Sequence, residues 1–309
     1  MASSPTDAII EGADVPIAIR DFGGEGVGIV LIHGLSRTLA DWGVVAPILA
    51  TRHHVVAMDV RNHGRSGDGP WSWNAALRDV AAVMDRCGMK HSAVMGHSLG
   101  GMLASMWGRD HQECSGVINL DGHGNPRADQ YVGLDPDWVA ERRAELDALQ
   151  KQQLAAMSGP LSEAQVEALT AQQRAVAAQV GAPVELFAEG LQRMLEFRDG
   201  RARLRPGPHG IGAEIYAGLD DVDMFGIYRE IRCPLLLFNA VNPEGRASAL
   251  PGPPWIGELM AAFREGQTRD LATLAASRAN VRIETVKGTH GLLFEQAAAI
   301  AAITLDFLS

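Results

Sequence analysis

Two patterns of apolar residues alternate along the chain. Short, mostly apolar runs, typical of strands buried on both faces, occur at 28–32, 55–60, 117–120 and 234–238. Longer stretches between them, such as 73–87, place their apolar residues on one side of a helix. Strands that alternate with helices predict a mostly parallel, doubly wound α/β sheet with helices on both faces. Chemistry is then expected in the loops at the carboxyl ends of the strands.

The two ends of the chain extend this pattern. Residues 14–21 alternate apolar and polar positions ahead of two glycines, which predicts a half-exposed hairpin at the edge of the sheet. A last strand is expected at 281–286, and a final helix from about 292 to 308.

The alternation is interrupted by one long stretch that lacks strand patterns. From 125 to 229 the chain is rich in Ala, Gln, Glu, Arg and Leu at helical spacing. Helices are expected there at 138–157, 162–180 and 184–197. We interpret residues 125–229 as a helical cap without strands of its own, inserted into a core formed by residues 1–124 and 230–309.

A G-x-S-x-G motif lies where a strand pattern meets a helix pattern. The apolar run 91–95 leads into it, and a helix-forming run at 102–107 leaves it. Side chains at Gly96 and Gly100 would collide with the adjoining strand and helix, so a sharp turn here holds the hydroxyl of Ser98 away from the sheet. The free N–H groups at the start of the following helix would face negative charge formed beside that hydroxyl. Ser98 is therefore the candidate nucleophile.

Composition narrows the classes of partner. The 309 residues are 47% hydrophobic and 21% charged, which suits a sizeable core. A formal net charge of −10 argues against binding to nucleic acid. The expected partner is a small-molecule substrate, with neither nucleic acid nor membrane, while self-association as a homodimer stays open.

The cysteines and the first residues indicate a compartment. Cys87, Cys114 and Cys233 lie far apart in the sequence, in or beside apolar segments, which indicates buried reduced thiols. Residues 1–10 lack a leader pattern, and no apolar run approaches the ~18 residues that span a bilayer. We therefore expect a cytoplasmic protein.

Several motifs occur in the order and spacing of one enzyme superfamily. A His-Gly pair at 33–34 follows one strand, Arg-Asn-His-Gly-Arg-Ser at 61–66 follows the next, Gly-His-Ser-Leu-Gly-Gly fills 96–101, and His290 follows the last strand. Together these motifs are far more specific than any one of them. From about residue 14 to 309 the chain resembles the α/β-hydrolase superfamily, most of all its capped esterases and carbon–carbon-bond hydrolases.

The resemblance implies roles for four residues. Ser98 would be the nucleophile and His290 the general base, and the backbone N–H groups of Leu35 and Leu99 would form the oxyanion hole. The chemistry of the residues agrees, since a serine hydroxyl is a poor nucleophile until an imidazole removes its proton. That imidazole must in turn be held by a carboxylate. No cofactor and no metal is implied.

The carboxylate is the point at which the sequence departs from the family. The commonest arrangement places the acid after the strand at 234–238, in a Gly-x-x-Asp pattern, but this chain has Asn242 there, followed by Glu244. An asparagine cannot stabilise an imidazolium as a carboxylate does. Asp121, at the end of the preceding strand, could reach His290, and some family members use that position. We favour Asp121 as the acid and keep Glu244 as the alternative.

The remaining histidines of the motif turns are expected to serve structure. His33, His63 and His97 lie where a structural hydrogen bond is the commoner use of an imidazole. The role of His123 is left open because it lies two residues after the favoured acid.

These residues predict a serine hydrolase that cleaves an ester, lactone or thioester of a small, largely apolar compound through an acyl-enzyme. Three alternatives remain at this point. The chain could hydrolyse a carbon–carbon bond in a diketone-like compound, tailor a natural product by non-hydrolytic chemistry, or retain the triad as a ligand sensor. The sequence does not name the substrate, because specificity depends on pocket walls drawn from the cap.

Overall fold

The structure, a computed structural model, describes residues 4–156, 159–206, 211–241 and 253–309. The strands are β1 (Thr6–Glu11), β2 (Pro16–Asp21), β3 (Ile29–Ile32), β4 (Val55–Met58), β5 (Ala93–His97), β6 (Val117–Leu120), β7 (Leu195–Arg198), β8 (Arg201–Leu204), β9 (Leu235–Val241) and β10 (Val281–Lys287). The helices are α1 (Val45–Leu49), α2 (Trp73–Arg86), α3 (Leu99–Asp110), α4 (Pro136–Ala156), α5 (Glu163–Val180), α6 (Val184–Met194), α7 (Ile211–Leu219), α8 (Met224–Glu230), α9 (Ile256–Ser277), α10 (Leu292–Glu295) and α11 (Ala297–Phe307). Short 3₁₀ turns occur at Leu39–Gly43 and Ala128–Gln130.

The main sheet has eight strands in the order β1-β2-β4-β3-β5-β6-β9-β10. The pairs from β4 to β10 are parallel, and only β1 and β2 run antiparallel to their neighbours. The predicted α/β fold with a mostly parallel, doubly wound sheet is confirmed. Parallel strands place their carboxyl ends at one edge, so the loops after β3, β5, β6 and β10 lie close together.

Successive residues of the central strands point to opposite faces, and helices cover both. In β3, Val30 and Ile32 pack in a cluster with α2, α3 and α8, whereas Ile29 and Leu31 pack in a second cluster with α1 and α11. All four side chains are fully buried. Burial on both faces explains why these strands read as continuous apolar runs rather than as alternating ones.

The edge hairpin is present, but it begins earlier than the alternating pattern. The strand predicted within 14–21 is β2, and its partner is β1, paired so that Thr6 faces Asp21. Most residues of β1 are exposed. Because backbone pairing rather than burial holds β1 in place, no apolar period marks it in the sequence.

The segment inserted between β6 and β9 contains a strand pair as well as helices. The helix expected over 184–197 ends at Met194, and β7 and β8 form an antiparallel hairpin after it. The expectation of a segment without strands was therefore wrong. Asp199 and Gly200 form the turn with φ of 52° and 72°, and an Asp-Gly pair is a strong signal for a two-residue hairpin turn.

Helix α6 of the inserted segment is tied to the main sheet by buried charges. Arg193 donates to Asp59 over 2.9 Å, and both side chains are almost completely buried. A second nitrogen of Arg193 contacts Asp7 of β1 at 3.0 Å. Nearby, Arg20 of β2 pairs with Glu189 of α6 at 2.6 Å. These pairs fix α6 above the loop that follows β4.

Helix α8 packs differently from the rest of the inserted segment. Its residues Met224, Phe225 and Tyr228 are buried in the same cluster as Leu103 of α3. It therefore covers the main sheet beside α3, although the sequence pattern groups it with the preceding helices. Within the described ranges, no helix is long and apolar enough to cross a bilayer.

Candidate active site

The turn between β5 and α3 holds Ser98 in a conformation that few side chains adopt. Its φ is 54° and its ψ is −119°. A Cβ built on Gly96 would lie 2.0 Å from the carbonyl oxygen of Gly100, and one built on Gly100 would lie 2.1 Å from that of Ile32. Both positions therefore require glycine. The Ser98 amide donates to the carbonyl oxygen of Leu120, the last residue of β6, over 3.0 Å. The half-buried side chain of Ser98 thus lies at the carboxyl end of the sheet.

The loop after β3 lies directly beside this serine. A Cβ built on Gly34 would lie 3.2 Å from the Cβ of Ser98. The amide of Val60 donates to His33 Nε2 over 3.0 Å, so Nδ1 carries the proton and donates to the Gly34 carbonyl over 2.7 Å. The Gly34 carbonyl and the Leu35 N–H belong to one trans peptide and point in opposite directions. Because the carbonyl is bound to His33, the Leu35 N–H points away from His33.

Two backbone N–H groups around Ser98 have no partner among the described residues. Leu99 is the first residue of α3, so its N–H has no acceptor within the helix. Among the residues that the structure describes, neither this N–H nor that of Leu35 donates a hydrogen bond. The arrangement suits an oxyanion, which needs two such donors at one point.

His290 and Asp121 form a close pair at the same edge of the sheet. Nδ1 of His290 lies 2.8 Å from Oδ2 of Asp121. Nδ1–H donates to the carboxylate, which leaves Nε2 as the unprotonated nitrogen. The imidazole is 58% exposed, whereas the carboxylate is 13% exposed. One face of the pair is thus open to a substrate and the other is fixed in the protein.

Asp121 is held as a carboxylate. Burial raises its pKa, but the hydrogen bond and charge of His290, the ring of His123 and the amide of Ala240 together leave it below the usual range. The Ala240 amide donates to Oδ1 over 3.2 Å. An ionised acid beside Nδ1 is the state that orients an imidazole and stabilises its protonated form.

A buried polar network supports the turn at Asp121, whose φ is 54°. Asn119 of β6 accepts from the Gly122 amide over 2.7 Å and donates to the hydroxyl of Tyr228 over 3.0 Å. His123 Nε2 donates to the carbonyl oxygen of Phe238 in β9 over 2.9 Å. Its Nδ1 therefore accepts from the hydroxyl of Tyr228, also over 2.9 Å. His123 therefore has a structural role. The reasoning from sequence missed Tyr228; the one signal in the chain was a polar Asn119 within an apolar strand.

Ser98 and His290 lie on adjoining loops without a direct bond between them. No hydrogen bond joins Ser98 Oγ to His290 within the part of the chain that the structure describes. Catalytic hydrogen bonds are often long in the absence of substrate and shorten when it binds. The loops themselves are in contact, because Nε2 of His97 donates to the carbonyl oxygen of His290 over 2.8 Å.

Aromatic side chains bring the inserted segment next to the site. Phe187 of α6 packs against Phe294 of α10, with ring centroids 4.9 Å apart. The guanidinium of Arg37, two residues after Leu35, lies over both rings at 5.3 and 5.0 Å. Helix α10 begins two residues after His290. The inserted segment thus borders both the candidate oxyanion loop and the candidate base.

A family model described as "Alpha/beta hydrolase family" matches residues 29–303, which is most of the chain. The chain belongs to the α/β-hydrolase family. The match includes every residue that the motifs single out.

Individual relatives of this α/β hydrolase are distant. Esterase YbfF of Escherichia coli K12 is 31% identical over 108 residues, 35% of this chain and 37% of the relative. A fluoroacetate dehalogenase of Burkholderia sp. is 31% identical over 98 residues, 29% of this chain and 32% of the relative. The matches thus span about a third of the length of these curated relatives.

A solved structure extends the likeness in fold over the whole chain. The crystal structure of an E-2-(acetamidomethylene)succinate hydrolase superposes with a TM-score of 0.71 at 17% sequence identity. It covers 98% of this chain and 99% of that one. At this identity the comparison shows the α/β-hydrolase fold.

The acid position common in the family is occupied differently in this α/β hydrolase. Glu244 and Asn242 lie outside the described residues. Asn239, near the carboxyl end of β9, points toward α9, where it accepts from Gln267 over 2.9 Å and donates to Thr268 over 3.0 Å. Among the described carboxylates, Asp121 is the one in contact with His290.

Proposed function

We propose that the protein is a serine hydrolase that cleaves an ester, lactone or thioester through an acyl-enzyme on Ser98. The observation that carries the proposal is the 2.8 Å contact between His290 Nδ1 and Asp121 Oδ2, beside a serine on a strained turn. A carboxylate that holds Nδ1–H leaves Nε2 free to accept the serine proton. Asp121 is thus the proposed acid, in preference to Glu244.

The proposed reaction has two halves. Ser98 Oγ attacks the acyl carbon while His290 Nε2 takes its proton, and the oxyanion accepts hydrogen bonds from the N–H groups of Leu35 and Leu99. His290 then returns the proton to the leaving alcohol or thiol. In the second half, His290 removes a proton from water, the hydroxide attacks the acyl-enzyme, and Ser98 regains its proton as the acid product leaves.

A serine nucleophile is suited to acyl substrates and not to alkyl halides, although one distant relative is named a fluoroacetate dehalogenase. A hydroxyl that displaces a halide forms an ether, and the oxyanion hole offers nothing to the hydrolysis of an ether. Attack on an acyl carbon instead forms an ester, whose hydrolysis passes through an oxyanion that the same two N–H groups stabilise. The named esterase activity of another relative fits this chemistry.

We propose that the inserted segment 125–229, apart from α8, which packs on the main sheet beside α3, forms a cap over the substrate. The support is the position of α6, whose Phe187 contacts Phe294, four residues after His290. Two aromatic rings at this border favour a small, largely apolar acyl compound, because apolar walls with few polar groups are typical of such pockets. No cofactor and no metal enters the proposed reaction.

We also propose the cytoplasm as the location of the protein. Cys114 and Cys233, far apart in the sequence, are buried with their Sγ atoms 3.0 Å apart. A pair so close stays reduced where the compartment is reducing.

The test is a panel of p-nitrophenyl esters, thioesters, lactones and diketone-like compounds, assayed with the wild-type protein and Ser98→Ala. We expect turnover of short acyl esters by the wild type and a loss of roughly 10⁶-fold in kcat for the variant. Ser98→Ala should unfold at the same temperature as the wild type, since the change removes one half-buried hydroxyl.

Other outcomes of the panel would change the assignment. Turnover confined to diketones would replace acyl hydrolysis by carbon–carbon-bond cleavage. Equal turnover by Ser98→Ala and the wild type would contradict the proposal outright. Tight binding with no turnover of any compound would favour a ligand sensor.

A further inference from the structure

The ring of His97 fills the space between three loops of the site. It directly precedes Ser98, and its Nε2 lies 2.8 Å from the carbonyl oxygen of His290. The two imidazole rings are 4.9 Å apart between centroids. On its other side, a Cβ built on Gly34 would lie 3.3 Å from His97 Nδ1. His97 therefore touches the turn at Ser98, the loop that carries His290 and the loop that carries Gly34 at once.

The hydrogen-bond partners fix the protonation of this ring. A carbonyl oxygen only accepts, so Nε2 of His97 carries the proton and donates it to His290. Nδ1 is buried and has no partner among the described residues. Burial lowers the pKa of His97 to about 3, ahead of the smaller effect of the His290 charge. The donor is thus a neutral group, and it adds no second positive charge when His290 takes up a proton.

Hydrogen bonds to its neighbours in the loop also restrain His290. Its side chain is 58% exposed and bonds to Asp121. Glu295 accepts from both the amide and the hydroxyl of Thr289 at 2.7 Å, so it holds the preceding residue. Within the described residues, His97 is the partner of the His290 carbonyl. Without that bond, the imidazole would be placed by the Asp121 contact and by the bonds that hold Thr289 and Gly291.

We propose that His97 is a positioning residue that sets the distance between the His290 imidazole and Ser98 by holding the His290 backbone. This inference rests on the function proposed above and deepens it. His290 must exchange a proton first with Ser98 and then with the leaving group, so its Nε2 has to remain within reach of both. A misplacement of about 1 Å can lower the rate about 100-fold, which gives the bond a measurable role.

Two substitutions of equal length separate donation from packing. In His97→Gln, the amide Nε2 lies three bonds from Cβ, as the imidazole Nε2 does, and can still donate to the His290 carbonyl. His97→Met fills a similar volume without a donor, and His97→Leu is a second variant of that kind. We expect kcat to fall about 100-fold in the donor-free variants and about ten-fold or less in His97→Gln, with KM changed by less than about three-fold in each.

Fluorophosphonate labelling and hydrogen exchange complete the test. The rate at which Ser98 is labelled should fall in His97→Met in parallel with kcat, and amide exchange over residues 288–294 should quicken there but not in His97→Gln. Equal kcat values for the Met and Gln variants, or equal exchange rates, would overturn the positioning role. Absence of labelling and hydrolysis in the wild type would refute the proposed function, and the exchange rates would then still decide whether His97 holds the loop.

Discussion

At the scale of single residues, the candidate site is built from two strained turns that interlock. Ser98 and Asp121 both have a φ of 54°, a region that costs a non-glycine residue roughly 1–3 kcal/mol. The turns follow neighbouring parallel strands, and a Cβ built on Gly122 would lie 2.3 Å from the backbone oxygen of Ser98. The turns at Ser98 and Asp121 therefore fix each other. Strain at both positions is typical of groups that must be aimed at a reacting atom.

The acid is the residue on which the proposal takes its largest risk. In Asp121→Asn the side chain keeps its shape but no longer selects the Nδ1–H tautomer, so we expect kcat to fall roughly 10³- to 10⁴-fold with KM nearly unchanged. Steady-state kinetics on the best ester from the panel measures both values. Glu244→Gln is the matched control and should keep nearly full activity. The reverse result would move the acid to the loop after β9 and leave Asp121 as a residue that shapes the turn.

At the scale of secondary-structure elements, the position of α6 decides whether the inserted segment can act as a cap. Helix α6 is held over the loop after β4 by Arg193, whose partner Asp59 is fully buried. Asp59 also accepts from the amides of Leu39 and Arg65 at 2.7 and 2.9 Å. One carboxylate thus joins the inserted helix, the 3₁₀ turn at Leu39–Gly43 and the loop after β4.

Removal of the arginine should reveal how strongly this contact holds α6. Arg193→Met leaves the buried Asp59 without its cation, so we expect the free energy of unfolding to fall by about 3–5 kcal/mol. Urea denaturation measures it. The control is Arg198→Met on β7, whose exposed pairs to Asp68 and Glu196 predict no measurable loss of stability. Similar losses in the two variants would mean that the Arg193 bridge does not anchor the helix.

The elements also show what a sequence can and cannot predict. The alternation of core strands and helices from β2 onward and the turn at Ser98 were expected, because they follow from apolar patterns and from motifs a few residues long. Asp121 was favoured over Glu244 as the partner of His290 from its place at the end of the strand before β9. The catalytic roles remain a prediction. Tyr228 under the acid and Arg193 above Asp59 were not foreseen, since each meets its partner only after distant segments pack together. The β7–β8 hairpin was missed because its strands carry charged residues and are mostly exposed or half-buried, so neither has the continuous apolar run that marks the buried strands.

At the scale of the whole molecule, buried neutral histidines predict how stability depends on pH. Burial lowers the pKa of His33, His63 and His97 to about 3 in the folded state. In the unfolded chain each would have a pKa of about 6.5, so the unfolded state binds more protons as pH falls from 7. Stability is therefore lost on acidification. Asp121, whose pKa is also lowered in the folded state, acts in the same direction, but only at the lower pH where carboxyl groups take up protons, so it does not contribute between pH 7 and pH 5.

Each of these histidines should lower the free energy of unfolding by about 2 kcal/mol between pH 7 and pH 5. His63→Asn removes one of them while its amide can still donate to the Arg61 carbonyl, as His63 Nδ1 does at 3.0 Å. Urea unfolding at both pH values should show a loss for the variant that is about 2 kcal/mol smaller than for the wild type. Identical losses would contradict a neutral, buried His63.

The central claim is that Ser98 is a nucleophile activated by His290 and Asp121. Its most direct test is peptide mapping by mass spectrometry after reaction with a fluorophosphonate, applied to the wild type, Ser98→Ala and Asp121→Asn. We expect one adduct on Ser98 in the wild type, none in Ser98→Ala, and labelling slowed at least about 100-fold in Asp121→Asn. An adduct on another residue, or equally fast labelling without the Asp121 carboxylate, would contradict the claim.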